Sequence, residues 1–185
     1  MKRIAILASG NGSNAVRILQ HFYTSESIEV AGVFTNKMNA RVLEKFIDRD
    51  QSAYFFESNE ELLDQLKAEE VDYVVLAGYL KLIPSEVLSV YKDAIINIHP
   101  ALLPKYGGVG MYGVNVHKAV KAAEEKETGI TIHLVNEFYD EGRVLFQATT
   151  AISEDDSAKD IAHKVQALEH EHYSLIIEKL INDEF

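Results

Sequence analysis

RIAILASGNGSNAVRILQHF, Arg3 to Phe22, passes from an apolar run through a glycine-rich turn into a helical pattern. Arg3–Ala8 reads as a buried strand and Ser13–Phe22 as a helix, because apolar residues are continuous in the first and recur at helical spacing in the second. The alternation repeats. Glu29–Phe34 is followed by a helical Ala40–Ile47; a short extended piece, Ala53–Phe55, precedes a helix capped by Ser58, with Glu61 completing a capping box. Tyr73–Ala77 then leads to a Pro84-led helix carrying Val87 and Leu88, and Ile95–Ile98 is a further β-branched run. Such β-α-β alternation predicts an α/β fold: a mostly parallel, doubly wound sheet with helices on both faces.

Towards the C-terminus the pattern changes. A helix is expected from Gly113 to about Glu127, then strands Ile130–Val135 and Val144–Ala151. The gap between those strands is too short for a crossover helix, so they should pair antiparallel. A last helix, Ser157 to about Ile181, places Ile161, Val165, Leu168, His172, Leu175 and Ile176 on one stripe. The chain shows no repeats or linker, and its 185 residues fit one domain, 1–185.

Composition excludes several classes of chemistry. With no cysteine, disulfides, thiolate catalysis and cysteine-ligated metals are out. No histidine pair has zinc spacing, so no metal is expected. The net charge of −11, without a cluster of Lys and Arg, argues against nucleic acid as a partner. The apolar run after Met1-Lys2-Arg3 is too short for a signal core, and no stretch approaches membrane-spanning length. The expectation is a cytoplasmic protein with no membrane partner.

Six stretches carry candidate chemistry. Gly10-Asn11-Gly12-Ser13-Asn14-Ala15 satisfies G-x-G-x-x-A, but Phe34-Thr35-Asn36-Lys37 lacks the acidic residue that a dinucleotide's ribose requires. A monophosphate seat fits better, with Gly12 admitting close backbone approach and Ser13 and Asn14 offering donors at the helix start; a tight turn capped by Ser13 is the plainer alternative. Gly78-Tyr79-Leu80-Lys81-Leu82-Ile83 suits a flat heterocycle, or ordinary helix–sheet packing. In Ile95-Ile96-Asn97-Ile98-His99-Pro100, Asn97 and His99 are two apart and so share a face, at the strand end that Pro100 terminates. Gly107, Gly108, Gly110 and Gly113 place four of the ten glycines in seven positions, a closing loop or simply a flexible one. Asp140, in Tyr139-Asp140-Glu141-Gly142, is either a turn former or a carboxylate that fixes the His99 ring; the residues alone favour the turn. Gln166, Glu169 and Tyr173 lie on one face of the last helix, where a solvated face is the ordinary reading.

Taken together, Ser9–Asn14, Leu76–Tyr79, Asn97–Tyr106 (NIHPALLPKY), Thr128-Gly129 with His133, and Asp140–Gly142 resemble the folate-dependent formyltransferase family, in order along nearly the whole chain. The GNGSN turn points to its purine-pathway branch, the phosphoribosylglycinamide formyltransferases. The resemblance implies transfer of a formyl group from 10-formyltetrahydrofolate, as cosubstrate, to the amine of glycinamide ribonucleotide in de novo purine biosynthesis. It implies Asn97, His99 and Asp140 as the catalytic trio. Gly12, Ser13 and Asn14 would hold the phosphate, Gln166 and Glu169 would meet the ribose and glycinamide end, and Leu80, Lys81, Leu82, Ile83 and Val135 would line the pterin pocket. Neither metal nor covalent intermediate is required. The chain departs from the family in having Asn59 where an arginine often helps the phosphate, Lys81 where arginine is common, and a longer segment from Gly107 to Val116. The rivals are a methionyl-tRNA formyltransferase or formyltetrahydrofolate hydrolase, which normally carry an extra domain, and a non-catalytic nucleotide-binding module, which would leave Asn97, His99 and Asp140 without a role.

Overall fold

The computed structural model describes residues 1–184; Phe185, the last residue of the expected domain, lies outside them. Seven strands stand in the order β3-β2-β1-β4-β5-β6-β7. The described chain forms two compact units, Met1–Asn97 and Ile98 onward, with the boundary inside β5.

The first unit contains β1 (Lys2–Leu7), α1 (Ser13–Phe22), β2 (Ile28–Thr35), α2 (Arg41–Ile47), β3 (Ala53–Phe55), α3 (Asn59–Ala68), β4 (Tyr73–Leu76), α4 (Ser85–Val90) and most of β5 (Ile95–His99). β1 pairs in parallel with β2 and β4, β2 with β3, and β4 with β5. Ile4, Ile6, Leu7, Val33, Phe34, Val74, Val75 and Ile96 are all buried, the near-continuous apolar strands that a sheet covered on both faces demands. From β1 the chain winds outward to β3, then returns to β1's other side for β4. The strand order therefore reverses between β1 and β4, whose carboxyl ends run side by side with Leu7 opposite Leu76. Open α/β sheets hold their ligands at such a switch point.

The cap expected at Ser58 accepts the Glu61 N–H, but the Glu61 carboxylate accepts from the Glu57 N–H rather than Ser58's, so the box is only half formed.

The second unit contains α5 (Val114–Ala122), β6 (Glu127–Leu134), β7 (Val144–Ala151) and α6 (Ala158–Ile181). β6 and β7 pair antiparallel, as their short separation requires. Gly129 is obligatory in that pair, since a Cβ there would sit 1.9 Å from the Ala148 carbonyl oxygen. Two expectations need correction. α5 stops at Ala122, not near Glu127, because Glu124 turns left-handed (φ 52°) and Glu127 already belongs to β6. In α6 the buried stripe runs through Ile161, Val165, Tyr173, Ile176, Ile177 and Ile181, while Leu175 is 45% exposed. Tyr173 is thus core rather than a neighbour of Gln166 on a solvated face. Ser157 caps this helix through a reciprocal box with Asp160.

Candidate active site

In the first unit, the turn after β1 is fastened from three directions. The Ser9 N–H reaches the Gly78 carbonyl beyond β4, the Ser9 hydroxyl donates to Asn36 Oδ1 beyond β2, and the Val42 N–H of α2 donates to the Gly10 carbonyl. Lys45 Nζ adds two bonds to Asn11, at 2.8 Å to its carbonyl and 2.9 Å to Oδ1. Gly12 is left-handed (φ 72°), and a Cβ on it would lie 2.2 Å from Val42 Cγ2, so both conformation and closeness demand glycine. The cap of α1 is Gly12 itself and no side chain caps the helix; Ser13 is its first helical residue rather than its cap. A helix start left to backbone groups is suited to an anion. Beside it at the switch point, the chain from Gly78 to Pro84 is neither helix nor strand; Tyr79 and Ile83 are buried while Leu80 and Leu82 are each 42% exposed, leaving apolar side chains at the surface around Lys81.

Asn97 and His99 leave β5 on the same side, Asn97 half-buried and His99 buried. The second unit encloses the His99 ring. Nε2 lies 2.8 Å from the Tyr106 carbonyl, which can only accept, so Nε2 carries the hydrogen. Nδ1 lies 3.4 Å from Asp140 Oδ2. In the neutral ring that leaves the Nδ1 lone pair facing a carboxylate, where an added proton would be welcomed. Burial lowers the His99 pKa below its usual value, and the His133 imidazole acts in the same direction; Asp140 and the Tyr106 carbonyl only partly offset them. The ring therefore rests neutral, with a partner in place to stabilise the imidazolium.

Asp140 is held as firmly as the ring it serves. Gly108 N–H donates to Oδ2 at 2.9 Å, and His133 Nε2 stands 3.7 Å from Oδ1 while its Nδ1–H donates to the Leu134 carbonyl. Burial would raise the carboxyl's pKa, but His133, His99 and the Gly108 N–H outweigh it and the net shift is downward. The carboxylate is thus charged at neutral pH. Asp140 is left-handed (φ 58°), as a turn former would be, so it shapes the turn and reaches His99 at once. Glycines make the approach possible: a Cβ on Gly107 would meet Asp140 Cβ at 3.1 Å, and one on Gly142 would meet the Leu134 oxygen at 1.7 Å.

Three participants were not singled out from the sequence, and a fourth, His133, was named only as part of the family resemblance, without a role. His133 was legible in principle, since a buried strand bearing Thr131 and His133 two apart repeats the signature of Asn97 and His99. The Tyr106 carbonyl and Gly108 N–H are backbone groups that any residue could offer, and they carried no signal. His117, buried in α5 with no hydrogen-bond partner for Nδ1 among the described residues, has its pKa lowered by burial and then by His99. Of the other expected residues, Gln166 is exposed on α6, Glu169 is half-buried one turn before Tyr173, and Val135 is half-buried just past β6. The loop from Gly107 to Gly113 folds on itself through Met111 N–H to Gly108 and Asn115 Nδ2 to Gly110, with Val109 87% exposed.

Residues 2–177 match the family model described as formyl transferase. The chain is 33% identical to the phosphoribosylglycinamide formyltransferase of Bacillus subtilis, over 98% of this chain and 95% of that one. It is 37% identical to the chloroplastic phosphoribosylglycinamide formyltransferase of Vigna unguiculata, but spans only 62% of that protein's length, and 64% of the Arabidopsis thaliana counterpart. Among solved structures, glycinamide ribonucleotide transformylase 1 from Symbiobacterium toebii superposes with a TM-score of 0.91 at 30% identity, covering 99% of this chain and 89% of that one. The Bacillus halodurans phosphoribosylglycinamide formyltransferase gives 0.89 at 35% identity, covering 100% and 97%.

Proposed function

The chain belongs to the formyl transferase family, and from that premise we propose that it moves the formyl group of 10-formyltetrahydrofolate to the amine of glycinamide ribonucleotide. The amine attacks the formyl carbon directly. Charge develops on the formyl oxygen, which the Asn97 amide stabilises as a hydrogen-bond donor and His99 by its charge once Nδ1 takes a proton; one such amide donor in a closed site contributes about 2.7–4 kcal/mol. Asp140 holds His99 and assists movement of the proton from the attacking nitrogen to the departing folate nitrogen, a contribution of about 10²–10⁴ in rate. Asp140, the buried His99 ring and the Tyr106 carbonyl form one line, and that line is the observation that carries the proposal. An imidazole between a carboxylate and a carbonyl can take and return a proton without leaving its place. A nucleotide-binding module would have no use for it.

Gly12, Ser13 and Asn14 are assigned to the substrate phosphate, supported by the backbone-capped start of α1. Gln166 and Glu169 are assigned to the ribose and glycinamide end, and Leu80, Lys81, Leu82, Ile83 and Val135 to the pterin. The proposal places the enzyme in the cytoplasm, with small-molecule partners alone.

The test is to mix the protein with 10-formyltetrahydrofolate and glycinamide ribonucleotide and follow the deformylated folate. Turnover that requires the ribonucleotide is expected. Turnover unchanged without it would mean hydrolysis of the folate, and none above a heat-killed control would sink the proposal.

A further inference from the structure

The segment from Pro100 to Tyr106 leaves the imidazole of His99 and returns to it, because the Tyr106 carbonyl that closes the segment is the one that accepts from Nε2. Its middle is held by a network that the proposed chemistry leaves without a role. Thr131, fully buried on β6, donates its hydroxyl hydrogen to the Ala101 carbonyl at 2.7 Å and accepts from the Leu103 N–H at 2.9 Å. Directly across the strand pair stands Gln147 of β7. Its Nε2 donates to Thr131 Oγ1 at 2.9 Å and to the Leu103 carbonyl at 3.0 Å.

The hydrogen and both lone pairs of the Thr131 hydroxyl are accounted for. A hydroxyl has one hydrogen and two acceptor sites, and all three are engaged at Thr131. The Thr131 hydrogen goes to Ala101, so only the amide nitrogen of Gln147, with its two hydrogens, satisfies both Thr131 and the Leu103 carbonyl. Three backbone groups of the returning segment are thereby held by two side chains. Gln147 itself is a surface residue of β7 whose amide reaches inward, and a surface position is an economical place for a bond that packing does not need.

We propose that Gln147, acting through Thr131 and Leu103, is a positioning residue that holds the Pro100–Tyr106 segment so that the Tyr106 carbonyl keeps His99 in its Nε2–H tautomer and in place for reaction. Gln147 touches no reacting atom in this scheme. The catalytic half of the proposal rests on the formyl-transfer reading above; the tautomer half does not.

Gln147→Leu keeps the bulk and removes both donors, while Thr131→Val and Thr131→Ser separate the hydroxyl from the shape. The expected result for Gln147→Leu is a fall in kcat of about tenfold to a hundredfold with little change in KM, as for a displacement of up to about 1 Å. Thr131→Val should match it and Thr131→Ser should restore turnover. Long-range ¹H–¹⁵N spectra of the free proteins at neutral pH should show the Nε2–H form of His99 in the wild type and a mixture of tautomers in Gln147→Leu. Circular dichroism checks that each variant is folded. Normal kcat in Gln147→Leu beside an active wild type would overturn the proposal, and so would an unchanged His99 spectrum. An inactive wild type would count against the formyl-transfer reading alone, and the spectra would still decide the positioning role.

Discussion

At the scale of single residues, the site turns on what surrounds His99. The Asn97 amide is assigned to the oxyanion, so Asn97→Ala is expected to fold normally and lose about 10²–10³ in kcat. Steady-state kinetics with both substrates will measure the loss, and undiminished turnover would remove Asn97 from the mechanism. Asp140→Asn probes the other partner. The carboxylate raises the His99 pKa against the burial that lowers it, so neutralising it should push that pKa further below 6.5. Titration of the His99 ring signals by NMR gives the sign directly, and an upward shift would contradict the electrostatic role. Turnover should fall by about 10²–10⁴ if Asp140 also assists proton movement. The pair Asn97 and His99 could be read from strand periodicity, since two polar residues on one face of an apolar strand stand out. Asp140 could not be assigned from the residues alone, because a left-handed turn residue and a reaching carboxylate have the same local sequence. The residues offered its reach to His99 only as the less favoured reading, and the family resemblance tipped the choice.

At the scale of elements, a hairpin brings Asp140 to His99, and Gly142 sets that hairpin's geometry. A side chain there would strike the Leu134 carbonyl and crowd His133 Nδ1, at 1.7 and 3.3 Å, so the hairpin must move to admit it. Gly142→Ala is therefore expected to lower stability by roughly 1–3 kcal/mol, as overpacking does. It should also lower turnover by up to about a hundredfold, through displacement of Asp140. Urea titration and kinetics on the same sample will separate the two effects; unchanged turnover would mean that Asp140's reach does not depend on this glycine. The first β-α-β elements were legible because continuous apolar strands and helical spacing differ sharply; Ser58 marked the start of α3, and Ser157 that of α6. The end of α5 was not, since Ala123-Glu124-Glu125-Lys126 are acceptable in a helix and only the left-handed Glu124 shows the break. In α6 the buried face follows four-residue steps from Ile161 to Tyr173, and an aromatic with a polar hydroxyl was easily read as belonging to the polar face. Its buried hydroxyl has a pKa well above the usual value, from burial first and Glu169 second.

At the scale of the whole molecule, two electrostatic effects oppose one another as the solution is acidified. Lowering the pH discharges carboxylates and relieves the self-repulsion of a chain with net charge −11, which favours the folded state. The buried histidines act the other way. His99 and His117 both have folded pKa values below 6.5, so between the folded and unfolded values the unfolded chain binds more protons. Stability must then rise with pH across that window. Their contribution is complete above the unfolded value and is lost as pH falls through the folded ones. Asp140, also lowered, adds a second loss beginning near its ordinary value of 3.8. The histidines are the specific, buried groups, whereas the exposed charges are spread out and screened by salt. The urea midpoint is therefore expected to fall as pH is taken from about 7 to 5, the range in which histidine titrates. His117→Phe, which replaces an unpartnered buried nitrogen by an apolar ring, should flatten that slope without lowering the midpoint at neutral pH. A midpoint that rises on acidification would show that net repulsion governs instead, and an equally steep slope in the variant would acquit His117.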